Sequence, residues 1–212
     1  MWNYERRLQY PVNITKSDPG IAKIIISQFG GPDGEMSASM RYLSQRYSMP
    51  YKEVTGLLTD IGTEELAHME MICAIVKQLT QDLTPEEIKK SGFDTYYVDH
   101  TLGLWPAAAA GIPQNACEYQ SKGDAITDLF EDMAAEQKAR TTYDNILRLV
   151  KDPEVCDPIR FLREREVVHF QRFGEGLRIV TDRLNEKNFY AFNPEFDVKG
   201  IAGCKPGCGC PA

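Results

Sequence analysis

Two short stretches carry the same residue types at the same spacing: Glu65-Leu-Ala-His68 and Glu166-Val-Val-His169. On a helix, residues three apart share a face, so each stretch aims a carboxylate and an imidazole at one point. The chain holds three histidines, His68, His100 and His169, and two of them follow a Glu at this spacing. Carboxylate oxygen and imidazole nitrogen are donors that suit divalent transition metals. Two such motifs, joined by single glutamates on two further helices, form the donor set of a dinuclear metal site in a helical bundle.

The elements that must position these residues follow from caps, breakers and apolar period. Ser17-Asp18-Pro19 predicts a capped helix start, with the helix running over Ile21–Phe29 until Gly30-Gly31-Pro32-Asp33-Gly34 breaks or kinks it. It resumes over Glu35–Tyr47, which puts Glu35 at the restart and Tyr42 two turns along the same face. A second helix is expected from Ser48-Met49-Pro50 to about Leu79, with a stripe of Val54, Leu58, Ile61, Ile72, Val76 and Leu79. The two gaps in that stripe fall at Glu65 and His68, so both stand where core residues belong, whereas Glu64 and Glu70 fall off it and are expected to be solvated.

From Thr80 to about Ser121 the pattern predicts a long connection containing a short capped turn at Thr84-Pro85-Glu86-Glu87. His100 lies there without a Glu at helical spacing and reads as a structural histidine. A third helix is expected over Asp124–Val150, with Ile126, Leu129, Met133, Tyr143, Leu147 and Val150 on its stripe. Glu136 lies on that stripe, while Glu131 and Asp132 are expected to point elsewhere, and Lys151-Asp152-Pro153 to end the helix. A fourth helix is expected from Asp157-Pro158, with Ile159, Leu162, Phe170, Phe173, Leu177, Val180 and Leu184 inward and Glu166 and His169 filling the missing core positions. The expected organisation is an irregular segment over 1–18, a bundle over 19–185 and an irregular tail over 186–212.

Composition sets the outer bounds. A chain of 212 residues can bury a full core as one domain. A net charge of −7 argues against nucleic-acid binding through a general basic surface. No apolar run reaches the roughly 18–20 residues a membrane span requires, and the N-terminus has no apolar signal-peptide core, so cytoplasmic synthesis is expected. Cys73, Cys117 and Cys156 are scattered and read as small hydrophobes. Cys204, Cys208 and Cys210 crowd a Gly- and Pro-rich end, an incomplete zinc site that suits intermolecular disulfides or a shared metal as well as a merely exposed tail.

Four carboxylates converging in an apolar core would repel one another and each would lose its hydration. Two divalent ions offset this with about four positive charges. The competing arrangement pairs the acids with buried arginines such as Arg140 or Arg163, and leaves the duplicated histidine unexplained. The pattern of lone Glu35 and Glu136 on two helices, with Glu65/His68 and Glu166/His169 on two others, is that of the ferritin-like dimetal carboxylate bundles, and the long connection suits their single crossover. The expected fold class is therefore all-α, a ferritin-like four-helix bundle.

Within that class, Gly30-Gly-Pro-Asp-Gly-Glu35-Met-Ser-Ala-Ser-Met-Arg-Tyr42, Asp60-Ile-Gly-Thr-Glu-Glu65-Leu-Ala-His68-Met-Glu and Glu164-Arg-Glu166-Val-Val-His169 closely resemble the manganese catalases. The short chain and Cys-rich end resemble the CotJC-type spore coat proteins among them. The resemblance covers about residues 20–185. It implies a dimanganese enzyme converting hydrogen peroxide to water and oxygen, with Glu35, Glu65, His68, Glu136 and His169 as metal ligands and Glu65 bridging. It further implies Glu166 beside metal-bound solvent as a proton carrier, and Tyr42 hydrogen-bonded near the bridging carboxylate. Ala135 stands where some members have Arg, and the C-terminus is shorter than in typical catalases. The implied setting is a homo-oligomer, plausibly a hexamer, in a spore coat with other coat proteins. The rival readings are a di-iron oxidase or ferroxidase, with iron in place of manganese and both motif glutamates as ligands, and a structural coat protein with a vestigial centre.

Overall fold

Asp18 opens the first helix as expected: its side chain accepts from the Ile21 N–H and Pro19 takes the first turn. The computed structural model of the protein describes residues 7–97 and 103–187. Helix α1 (Pro19–Ile25) passes into the single turn α2 (Ser27–Gly30), and the Gly-Pro break then leads to α3 (Glu35–Gln45). Gly34 caps α3 in extended backbone, and a Cβ there would stand 2.8 Å from the carbonyl oxygens of Ser27 and Gln28. Only a residue without a side chain lets the chain turn this tightly, and the turn fixes Glu35 as the first residue of α3. Arg41 is buried and ties the break to the crossover, its Nη2 donating to the Pro32 carbonyl and to that of Glu118.

Helix α4 (Lys52–Thr80) begins two residues after Pro50, and a capping box at Thr84 and Glu87 starts α5 (Pro85–Ser91) in the crossover. Short 3-10 turns at Phe93–Tyr96, Ala109–Gly111 and Ala116–Tyr119 carry the chain to α6 (Ala125–Leu149), capped by Asp124. Among the described residues the regular structure is helical, with two isolated bridges, Tyr97–Leu104 and Ala107–Pro113, and no helix long and apolar enough to cross a membrane.

Helix α7 (Pro153–Lys187) starts earlier than the sequence reading expects. Asp152 accepts from the Glu154 N–H through its side chain, and its carbonyl accepts from Val155 and Cys156. Lys151-Asp152-Pro153 thus ends one helix and starts the next, and Pro158 lies a turn inside α7. The inward line of α6 is also rotated from the expected stripe. Asp128, Leu129, Asp132, Ala135, Glu136, Ala139, Tyr143 and Ile146 are buried, whereas Ile126, Met133 and Leu147 are only partly so. Asp132 therefore points inward, against expectation. His100, the thiols of 204, 208 and 210 and the tail from 188 lie outside the described residues.

Helices α3, α4, α6 and α7 form the bundle, with α3 on α4, α6 on α7, α4 on α7 and α3 on α6. Its core is in two parts. One gathers Ile25, Ile26, Ile72, Ile75, Leu79, Ile146, Ile159 and Leu162. The other gathers Tyr42, Val54, Leu58, Ile61, Leu129, Phe173 and Val180. Along α4, α6 and α7 the residues between these parts are Glu65 and His68, Asp132 and Glu136, and Glu166 and His169. The bundle is two apolar cores separated by a polar layer.

Candidate metal centre

That layer is closed to solvent. Glu35, Glu65, His68, Glu136, Glu166 and His169 are each at most 2% exposed, and Tyr42 is fully buried. Each of the six arrives from the bundle's interior line: Glu35 from the first turn of α3, Glu65 and His68 from the middle of α4, Glu136 from α6, and Glu166 and His169 from α7.

Glu65 is at the centre. Its Oε2 lies 2.7 Å from Nδ1 of His68, and its Oε1 lies 2.7 Å from Nδ1 of His169. The two imidazoles stack at 5.4 Å between ring centroids. Glu35 flanks His68, with Oε2 3.9 Å from Nδ1, and Glu136 flanks His169, with Oε2 3.5 Å from Nδ1. Donor atoms of Glu65, His68, Glu166 and His169 all fall within 4.8 Å of one another. The outer carboxylate oxygens are held by two tyrosines: Tyr42 donates to Oε1 of Glu136, and Tyr143 donates to Oε1 of Glu35.

Several of these atoms have no partner suited to them. Oε1 of Glu65, Oε2 of Glu136, Oε1 of Glu166 and Nδ1 of His169 are buried without a hydrogen bond. Nδ1 of His169 is close to Glu65 but not aligned to bond it. Buried polar groups are ordinarily satisfied, so converging lone pairs left bare fit a shared cation. The electrostatics agree. Burial, reinforced by Glu65, pushes Glu35 well above the usual carboxylate range, and burial with Glu136, Glu35 and Glu65 does the same to Glu166. Burial also works against Glu65, but the neighbouring His169 and His68 outweigh it and hold it below that range. His169 is pushed up to about 12, because the attraction of Glu65 and bonds to Glu136 and Glu64 overcome burial. Protons thus hold together a cluster that metal ions would hold in their place.

The expected site residues therefore lie in one layer. The arginine alternative does not describe it: Arg140 pairs with Asp144 and Gln137, and Arg163 with Asp144 and Glu164. Three further residues join that the sequence reading passes over. Glu64, expected to be solvated, bonds Nε2 of His169 at 3.0 Å and receives two bonds from Arg165. Asp132, one turn before Glu136, has neither oxygen bonded, and burial raises it well above the usual range against the pull of Gln45 and Arg41. Tyr143 reads as a core aromatic, yet its hydroxyl is in the site.

A family model described as manganese containing catalase matches residues 1–202. The chain belongs to that family. Protein CotJC of Bacillus subtilis is 50% identical over 190 residues, spanning 90% of this chain and all of that one. A probable manganese catalase of Clostridium acetobutylicum is 32% identical over 89% of this chain and 85% of its own. The manganese catalase of Lactiplantibacillus plantarum is 31% identical over 95% of this chain and 78% of its own. The crystal structure of KatB, a manganese catalase from Anabaena, superposes with a TM-score of 0.78 at 27% identity, over 85% of this chain and 81% of that one.

Proposed function

We propose that this chain disproportionates hydrogen peroxide at a centre of two manganese ions, two H2O2 giving two H2O and O2. In this reading Glu35 and His68 would hold one ion and Glu136 and His169 the other, with Glu65 available to both. The observation that carries it is the placing of Glu65, each of whose oxygens faces the Nδ1 of one histidine at 2.7 Å. Manganese bound there would supply a two-electron redox couple.

The protein's own part is proton handling and orientation. Oxidising one peroxide to O2 frees two protons, and reducing the other to water consumes two. Glu166 is suited to carry them: it is buried, its Oε1 has no partner, and its environment favours the protonated form. Such a role is worth about 10²–10⁴ in rate. Tyr42 bonds Glu136 rather than a reacting atom, so it is a positioning residue. The apolar cores on both sides exclude larger reductants.

Glu166 also gives the second reading its support. Its place among Glu65, His68 and His169 suits a ligand, as in a di-iron oxidase. Replacing Glu65 by Gln removes the bridging charge and abolishes manganese retention. Replacing Glu166 by Gln preserves size but not proton uptake, so manganese stays while oxygen release falls by about 10²-fold or more. Equal metal loss in both variants would make Glu166 a ligand and favour the iron reading.

The proposed setting is a spore coat, in a homo-oligomer of which a hexamer is one form. Its support is the resemblance to CotJC-type proteins and the full-length match to Protein CotJC. Trp105, Ile112 and Phe130 are more than half exposed, apolar surface suited to a partner subunit.

A further inference from the structure

Asp128, Asp132 and Glu136 follow one another at four-residue steps on α6, and all three are buried. That spacing makes them one inward line of carboxyls, which ends at the metal layer. The two ends of the line are bonded. Asp128 accepts from the backbone N–H groups of Lys122 and Gly123 at 2.7 and 3.0 Å, and Glu136 accepts from Tyr42. Asp132, in the middle, is fully buried with neither oxygen bonded.

Helix α3 faces this line with Arg41, Tyr42 and Gln45. Arg41 and Gln45 are buried, and Nε and Nη1 of Arg41 and both side-chain polar atoms of Gln45 make no hydrogen bond. Contacts on either side fix the register: Tyr42 bonds Glu136, and Nη1 of Arg41 lies 3.8 Å from Oε1 of Glu131. Burial pushes the Asp132 carboxyl well above the usual range, with Gln45 and Arg41 pulling against it. Burial also pushes the Tyr42 hydroxyl up, with Glu136 and Asp132 adding to the rise. The four side chains therefore act on one spot. Its donors, on Arg41 and Gln45, and its acceptors, on Asp132 and Gln45, match in kind but do not bond one another. Buried polar groups of that sort are joined by small molecules between them. Towards the surface, Nη2 of Arg41 lies 4.0 Å from Asp33, and Lys138 pairs with Asp33 at 2.9 Å and Glu131 at 3.2 Å, all three partly exposed. Polar side chains thus lead from that surface cluster through Arg41 and Asp132 to Glu136.

We infer that Arg41, Gln45 and Asp132 form a subsite for a small molecule that both donates and accepts hydrogen bonds, and that hydrogen peroxide passes through it to the metal layer. Peroxide donates its two O–H groups to Asp132 and the Gln45 carbonyl, and its oxygens accept from Arg41 and the Gln45 amide. Water has the same chemistry and fills the subsite in the absence of peroxide. The passage of peroxide rests on the catalase reading above, whereas the subsite itself does not.

The test has two arms, both on the full chain loaded with manganese. The first measures kcat and KM for hydrogen peroxide together with manganese content. Asp132→Leu puts an apolar side chain into the subsite and is expected to lower kcat/KM about tenfold or more with manganese retained. Asp132→Asn keeps the size and still donates and accepts, so its kcat/KM is expected to stay within about threefold of wild type. An unchanged kcat/KM in Asp132→Leu overturns the passage, as does an Asn variant as impaired as the Leu one, which marks a role for the charge. If Asp132→Leu loses manganese or does not fold, Gln45→Leu decides: it obstructs the same spot from α3, the same fall is expected, and no fall overturns the passage. The second arm is a crystal structure of the wild-type protein. Solvent within hydrogen-bond distance of Asp132 and of Arg41 or Gln45 is expected, and direct bonds among the three side chains with no solvent between them overturn the subsite. Wild-type protein that binds solvent there but releases no oxygen would remove the catalase reading and leave the subsite standing.

Discussion

Tyr42 on α3 donates to Glu136 on α6, and Tyr143 on α6 donates to Glu35 on α3. Each tyrosine follows a glutamate of its own helix by two turns, Glu35 before Tyr42 and Glu136 before Tyr143. With the two Glu-x-x-His motifs, this makes α3–α4 and α6–α7 matching halves, each reaching across to hold the other's carboxylate. Tyr42→Phe and Tyr143→Phe should therefore weaken manganese binding alike, each by about tenfold, as outer partners of metal ligands do. Chelator competition on the two variants checks this, and an effect confined to Tyr42→Phe would contradict the matching roles. The repeated spacing is visible in the sequence, but its meaning is not. An aromatic on an apolar stripe looks like packing, and the acceptor of its hydroxyl lies on a distant helix. Glu64 is missed for a related reason: helical period tells how far a Cα is turned from the core, not how far a glutamate reaches round its neighbours.

At the level of elements, the sequence is most informative where caps and breakers are local. Asp18, the Gly-Pro break, the Thr84 box and Asp124 all act within a few residues, and the helices begin there. The start of α7 is harder to read because Asp152-Pro153 serves two helices at once. The stripe of α6 is misdrawn because its most apolar residues are not its most buried ones. Its inward line is partly Ala and Asp, and what counts as inward depends on α3 and α7. The Gly34 turn ties this level to the site. Gly34→Ala would push a Cβ against two backbone carbonyls that cannot swing aside. A loss of about 1–3 kcal/mol in stability is expected, the cost of overpacking, together with weaker manganese binding as Glu35 is displaced. Thermal melts of both proteins check this, and equal melting temperatures would show that the turn is not constrained.

The whole molecule is a compromise between folding and binding. Two apolar cores hold the helices, and the layer between them is filled with acids that burial penalises. The family match and the superposition on KatB place this arrangement among the manganese catalases, and the layer explains why such a bundle needs cations. The most direct test is a titration of metal-free protein with Mn(II), with oxygen release from hydrogen peroxide followed at each addition. Activity should rise to a plateau at two manganese ions per chain, with one O2 formed for every two H2O2 consumed. Saturation at one ion, or two bound ions with no oxygen released, would contradict the dimanganese catalase.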